Sequence, residues 1–497
     1  MVLRRALAFG IGIAAIGVVP ALAQMPTGGT PPHRTTVQDP GVPHTLSEAL
    51  AATYANQPAL QAERAKLRAT DEGVPTALAG WRPTVVLGGT AGYGTGVERV
   101  YEQTNALFGE DPWAKLNTGR DTVSGQATLT QPLYTGGHVQ ANVNHAKDLV
   151  FAERATLLAQ EETSFFNSVT AYVGNGNTGI GVVFSRDYLA LQINNEQVLA
   201  KQLEATNDRF RVGEITQTDV AQAEAALEQA KAQRETAEGY LSTARATYLQ
   251  QIGYEPPPDL VEPQPLALPV RNEQQAAAMA AVNNPNVIAA EFNEAAAKDA
   301  VDVAFSQLLP QLSLQAQAFN QTNSGTARNE TNGWQALLQL SVPLYQGGAE
   351  YSAVREAKQT VQQEDRLVAD AKRTAVQQAV SAWETLVAAK AAAASTRSAI
   401  RANEVALEGT EREAIVGTRT TLDVLNAQQA LLNSRVTLVQ NLAALVTASY
   451  QVADAIGRLT ARDMHLPVPL YDDTAYYNAV KNLWAGLGDY ATSQPGR

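Results

Sequence analysis

The chain of 497 residues is written twice. Gln131-Pro132-Leu133-Tyr134-Thr135-Gly136-Gly137 recurs as Val342-Pro343-Leu344-Tyr345-Gln346-Gly347-Gly348, an offset of 211. Val212-Gly213 with Thr218-Asp219-Val220 recurs as Val416-Gly417 with Leu422-Asp423-Val424, an offset of 204. Asn56-Gln57-Pro58 is echoed by Asn283-Asn284-Pro285, and Pro83 by Pro310, both at 227. A duplication constrains the fold strongly, because any element read in one half must have a counterpart in the other. Residues 24–270 and 271–460 are therefore read as two structural repeats, and 461–497 as a C-terminal tail. The shifting offset marks insertions in the first repeat: 16 residues between Pro83 and Pro132, assigned to a loop, and 7 between the Gly-Gly and Val-Gly pairs. Seven residues is one heptad, which a helix absorbs without rotating its apolar stripe, so this insertion is assigned to coiled-coil-like packing.

Between Pro83 and Pro132, and between Pro310 and Pro343, apolar residues alternate with polar ones. Val123, Gly125, Ala127 and Leu129 interleave with Thr122, Ser124, Gln126, Thr128 and Thr130. Leu312, Leu314, Ala316 and Ala318 interleave with Gln311, Ser313, Gln315 and Gln317, and Trp334, Ala336, Leu338, Leu340 and Val342 return. Period two means strands, here about ten residues long, which is what a tilted strand needs to cross a bilayer.

Elsewhere the chain is rich in Ala, Gln and Glu and reads as long helices. Gly137 to Arg211 and Gly348 to Ala414 would each extend roughly 100 Å at 1.5 Å per residue, beyond any compact core. The returning helices, Asp219 to Gln251 and Asp423 to Leu459, are too short to match them alone. Helices Pro58 to Ala79 and Pro285 to Leu309 supply the continuation, each with Pro in the first turn, where its missing N–H costs least. The last long helix carries two stripes, one through Leu442, Leu445, Ser449, Val452, Ile456 and Leu459 and one through Leu425, Leu432, Val439 and Val446, so it should touch more than one neighbour. Thr45 to Glu48 has the spacing of a capping box. The Gly-rich run 174–181 should break the first long helix, since each Gly costs about 1 kcal/mol in a helix interior.

Composition removes other classes. Arg4 and Arg5, the apolar run Leu7 to Val19 and Ala21-Leu22-Ala23 have the form of a signal peptide over 1–23, which would make Gln24 the first mature residue. Past that run no apolar stretch of about 18 residues occurs, so any span uses strands. There is no Cys, hence no disulfide, thiolate metal site, catalytic thiol or lipid-bearing cysteine. The formal net charge of −12, or −14 once Arg4 and Arg5 leave with the leader, argues against nucleic acid. The paired glycines are not followed by Lys-Ser/Thr, the five His are scattered, and no Ser, His and Asp group together. The reading is a non-enzyme with no catalytic site, cofactor or metal.

Four membrane-length strands cannot close a barrel, and an open edge in lipid costs several kcal/mol per unpaired backbone group. Closure needs other copies of the chain. At this point the residues resemble the trimeric outer-membrane efflux and secretion ducts of the TolC type. The resemblance rests on the duplicated strand exits and most specifically on Val416-Gly417-Thr418-Arg419-Thr420-Thr421-Leu422-Asp423-Val424-Leu425-Asn426-Ala427. It covers nearly the whole mature chain and is weakest in the last 35 residues.

The resemblance implies a mixed fold: a transmembrane β-barrel of four strands per protomer and twelve in the homotrimer, continued by a periplasmic α-helical coiled-coil barrel. Strands would pass into helices at Pro132, Gly136 and Gly137 and again at Pro343, Gly347 and Gly348. The turns Val212-Gly213 and Val416-Gly417 would form the tip on which a periplasmic adaptor protein docks. Thr218, Asp219 and Arg419 would belong to a latch closing that tip, and Asp423 to an acidic ring. Two positions depart from the pattern: Ala414 stands where a latch Tyr is expected, and Asn426 where a second ring Asp is expected. A single ring should bind divalent cations weakly, because hard cations want many oxygen ligands. The partners implied are outer-membrane lipid, the adaptor and an inner-membrane pump, with the second tip favouring an ABC-type protein exporter over an RND-type drug pump. The competing reading is a periplasmic adaptor. Adaptors carry one hairpin, whereas this chain has two and membrane-length strands besides.

Overall fold

The computed structural model describes residues 41–101, 107–109, 113–117, 119–174, 181–323 and 329–488. The signal-peptide segment and the interior of the Gly-rich run lie outside them. The first repeat opens with α1 (Leu46–Asn56), α2 (Pro58–Asp71) and α3 (Gly73–Leu78). Thr45 accepts from the Glu48 N–H while the Glu48 carboxylate reaches back to the Thr45 N–H, completing the capping box. The single helix read over Pro58 to Ala79 is in fact two, because Pro75 has no N–H for the carbonyl of Asp71 and the chain turns at Glu72.

Pro83 then turns the chain into β1 (Thr84–Gly94), followed by β2 (Val97–Tyr101), β3 (Trp113–Asn117) and β4 (Arg120–Tyr134). The second repeat supplies β5 (Gln311–Thr322) and β6 (Glu330–Ser341). One antiparallel sheet has the order β1-β4-β5-β6, so the two repeats join through β4 and β5. β2 and β3 form a separate two-stranded ribbon that keeps the register of β1 and β4: Thr84 faces Thr130, and Val97 faces Asn117. Thr84 to Thr130 encloses 47 residues against 31 for Gln311 to Ser341, which accounts for the 16-residue insertion. The insertion is therefore mainly a lengthened hairpin and not the loop its position suggested.

From β4 the chain enters α4 (His138–Val173), is interrupted, and resumes as α5 (Val182–Arg211) and α6 (Gln217–Ile252). The second repeat runs through α7 (Glu273–Asn283), α8 (Pro285–Ser306), α9 (Ala349–Ile415) and α10 (Thr421–Ala455), and the tail adds α11 (Ala475–Val480). The 67 residues of α9 are continuous, whereas α4 and α5 together hold 66 helical residues. The described helical length is thus nearly equal in the two repeats, and the seven extra residues fall between Val173 and Val182 and not within α4 or α5. Val173 is the last residue of α4, and Gly174 leaves it at φ 115°.

α10 stops at Ala455 and not at Leu459. Gly457 turns at φ 72°, and a Cβ there would lie 2.3 Å from the Asn283 carbonyl oxygen, so this crossing of α7 and α10 requires glycine. α8 likewise ends at Ser306, short of Leu309, and a turn carries the chain into Pro310 and β5.

The long helices pack through small residues. Ala223, Ala230, Ala237 and Ala244 are buried at strict sevens on α6, and Val368, Ala375, Ala382 and Ala389 on α9. Spacing of seven with alanine lets backbones approach closely along a coiled-coil seam. A larger cluster, with Leu50, Leu67, Phe165, Val169, Tyr172, Tyr248 and Leu459, ties α1, α2, α4, α6 and the start of the tail together. Each large side chain there contributes about 1.5–3 kcal/mol by burial. Among the described residues no helix is long and apolar enough to cross a membrane.

Candidate functional site

The sheet has two chemically different faces. One carries rows such as Val85-Leu129-Ala316-Ala336 and Leu87-Ala127-Ala318-Trp334 across all four strands. Leu87 is 82% exposed and Trp334 80%, an apolar surface that only hydrocarbon covers favourably. The opposite face is polar and internally bonded. Gln335 Nε2 donates to Gln317 Oε1 at 2.8 Å, Gln317 Nε2 donates to Gln126 Oε1 at 2.9 Å, and Thr90 and Ser124 share a hydrogen bond of 2.7 Å. Such a face suits a water-filled lumen.

Both strand exits use consecutive left-handed residues. Gly136 and Gly137 have φ of 64° and 83°, and Gly347 and Gly348 have 75° and 87°. Side chains disfavour that conformation by about 1–2 kcal/mol per residue. Pro132 sits at the bulge where β4 shifts register against β5, and Pro343 follows β6.

At the far end of the helices the two turns share one design. After α5, the Gly213 N–H donates to Phe210 O and the Glu214 N–H to Arg209 O. After α9, the Gly417 N–H donates to Ala414 O and the Thr418 N–H to Glu413 O. Gly213 and Gly417 have φ of 80° and 81°, and Val212 and Val416 beside them are exposed. The next helices begin with paired capping boxes. The Asp219 carboxylate accepts from the Thr216 hydroxyl (2.7 Å) and N–H (3.0 Å), and Asp423 accepts from both Thr420 groups at 2.9 Å. These bonds hold both carboxyls below the usual range, led by the Thr216 hydroxyl for Asp219 and the Thr420 N–H for Asp423. Both are charged at neutral pH.

Arg419 makes an exposed ion pair with Glu413 at 3.0 Å. Arg209 pairs with Glu214 at the other tip. The polarity is reversed between repeats: the first tip has its cation on the arriving helix and its anion in the turn, the second the opposite. Thr218 and Asn426 are exposed, and Ala414 is buried. Below the tips, Leu425 of α10 packs on Leu199, Leu227 and Ala230 of the first hairpin. Among the described residues no hydrogen bond or ion pair joins one tip to the other, so the latch residues are not brought together within a single chain.

Sequence reasoning missed one buried group. Glu161 and Glu162 of α4 accept hydrogen bonds from the N–H groups of Ala461 (2.6 Å) and Leu459 (3.2 Å) just past α10. Burial pushes Glu162 up to about 9 and nearby Asp454 to about 6. The available signal was a pair of adjacent acids directly before the apolar cluster Phe165, Phe166 and Val169.

Residues 49–253 and 276–458 match the profile described as Outer membrane efflux protein. The chain belongs to this family. The efflux protein BepC of Brucella suis is 35% identical over 89% of this chain and 92% of its own length. TolC of Escherichia coli is 25% identical over 62% of this chain and 64% of its own. The solved outer membrane protein VceC of Vibrio cholerae superposes with a TM-score of 0.66 at 19% identity, covering 83% of this chain and 96% of VceC. The fold, a four-stranded antiparallel sheet continued by long helices, is that of TolC-type channels. This efflux-family member is a non-enzymatic transport channel of the outer membrane, with its helices extending into the periplasm.

Proposed function

We propose that three copies of this channel close a twelve-stranded barrel and a shared helical tunnel, forming the exit duct of a tripartite export assembly. The observation that carries this reading is the open sheet. β1 and β6 end it, and no described strand pairs with their outer edges. In lipid each unpaired N–H or C=O costs several kcal/mol, so the β6 edge of one protomer pairs with the β1 edge of the next.

The Val212-Gly213 and Val416-Gly417 tips dock a periplasmic adaptor, which links the duct to an inner-membrane pump. Their exposed valines and rigid, doubly capped turns support that role. Thr218, Asp219 and Arg419 then act between protomers, a role that the reversed polarity of the two tips supports. Asp423 lines an acidic ring, with Asn426 leaving it single. The efflux named in the Brucella relative supports an efflux assembly, with type I protein secretion as a second use.

The mass of the mature protein extracted from outer membranes in mild detergent, corrected for bound detergent, tests the arrangement. A mass of three chains is expected. A folded, stable monomer would remove the closure argument.

A further inference from the structure

The tail beyond residue 458 lies outside the family match, yet it is tightly held. The Tyr471 N–H donates to the Tyr54 hydroxyl at 2.9 Å, Arg154 pairs with Asp473 at 3.5 Å, and the Tyr476 hydroxyl donates to Glu72 at 2.8 Å. α11 packs on α2. The strap therefore runs along α1 and α2 toward the sheet. It arrives at Arg82, which donates to the Leu483 carbonyl at 2.6 Å and stacks over the Trp484 ring at 5.1 Å.

Arg82 stands two residues before Thr84, the first residue of the membrane sheet. Trp484 is thus fixed at the level where the apolar face begins. It is nevertheless 70% exposed, Leu487 is fully exposed, and Trp81 beside Arg82 is partly exposed. At this same end of the sheet, Tyr134 closes β4 and Tyr345 follows β6, both exposed. An indole held in place by a cation and left open at the edge of a membrane band matches the aromatic girdle of a barrel, where the ring lies among head groups and its body meets acyl chains.

We infer that the segment from Leu483 to Leu487 is a membrane-interface anchor. Trp484 and Leu487 seat in the periplasmic leaflet of the outer membrane, with the Arg82 guanidinium holding the indole from the protein side. The occupant is lipid because the site continues the apolar face of the sheet. The anchor ties the tail, and through Tyr471 and Asp473 the helices α1, α2 and α4, to the membrane surface.

The full-length channel is reconstituted in nanodiscs of phosphatidylethanolamine and phosphatidylglycerol, with and without brominated acyl chains, as wild type and as Trp484→Phe. The emission assigned to Trp484 is the difference between the two proteins, since the chain has five Trp. It should fall about twofold or more in brominated lipid, as expected for a ring at the interface. Emission quenched by aqueous iodide but not by bromine would place the ring in water, and emission quenched by neither would place it against a neighbouring protomer; either result overturns the anchor. Because the chain has no native Cys, Leu487→Cys carrying a fluorophore gives an independent reading with spin-labelled lipid. That reading stands if Trp484→Phe fails to assemble.

Discussion

Replacing Glu162 with Gln should remove a pH dependence from the joint between α10 and the tail. The wild-type carboxyl is 3% exposed and accepts from the Leu459 N–H, and burial, reinforced by Asp454, raises it from 4.5 to about 9. A raised carboxyl favours the closed state fully below its unfolded value of about 4.5, and that contribution is lost as pH rises through about 9. At neutral pH the closed joint holds a neutral acid, and opening lets it ionise. Linkage then weakens closure by about 1.4 kcal/mol per pH unit until pH nears 9, or about fiftyfold in the opening constant between pH 7 and 9. Gln keeps an oxygen that accepts from Leu459 and cannot ionise. Amide exchange of peptides covering residues 456–466, corrected for intrinsic base catalysis, reads the opening constant in both proteins. Burial also raises Glu161 and Asp454, which continue to titrate in the variant, so the difference in slope is the measured quantity. Equal slopes in the two proteins would refute the assignment of a buried neutral acid to Glu162.

Gly417→Ala forces a side chain to φ 81° and should destabilise the second tip by about 1–2 kcal/mol; faster amide exchange confined to residues 413–424, with the trimer intact, is the expected result. Asn426→Asp should add a second acidic ring and strengthen divalent-cation block of single-channel current, while Asp423→Asn should weaken what block exists. Unchanged block in both variants would remove these residues from the lumen. The detergent-corrected mass and the lipid-quenching measurement test the trimer and the tail anchor.

Much of the local architecture was legible because it depends on neighbouring residues. Pro83 and Pro310 mark helix-to-strand turns, the paired glycines mark left-handed exits, and Thr45 with Glu48 marks a cap. The duplication supports the proline turns and the glycine exits by supplying a second copy of each. Both insertions were misassigned. Counting residues locates an insertion but says nothing of whether it pairs across a hairpin, as β2 and β3 do, or falls between two helices, as the residues separating Val173 from Val182 do. The alanine seams of α6 and α9 repeat at sevens in the sequence, but alanine is too small and too common in solvated helices to mark a buried stripe by itself.

The sequence by itself determined the long helices, the four membrane-length strands and the tip turns, since backbone propensity and period-two alternation are local properties. Only the tertiary structure decided the pairing of β4 with β5, the burial of Glu162 under the residues that follow α10, and the path of the tail to Arg82. Those depend on which surfaces exclude water from one another, and residues about 300 or 400 positions apart, such as Glu162 and Leu459 or Arg82 and Leu483, meet only when the whole chain is folded.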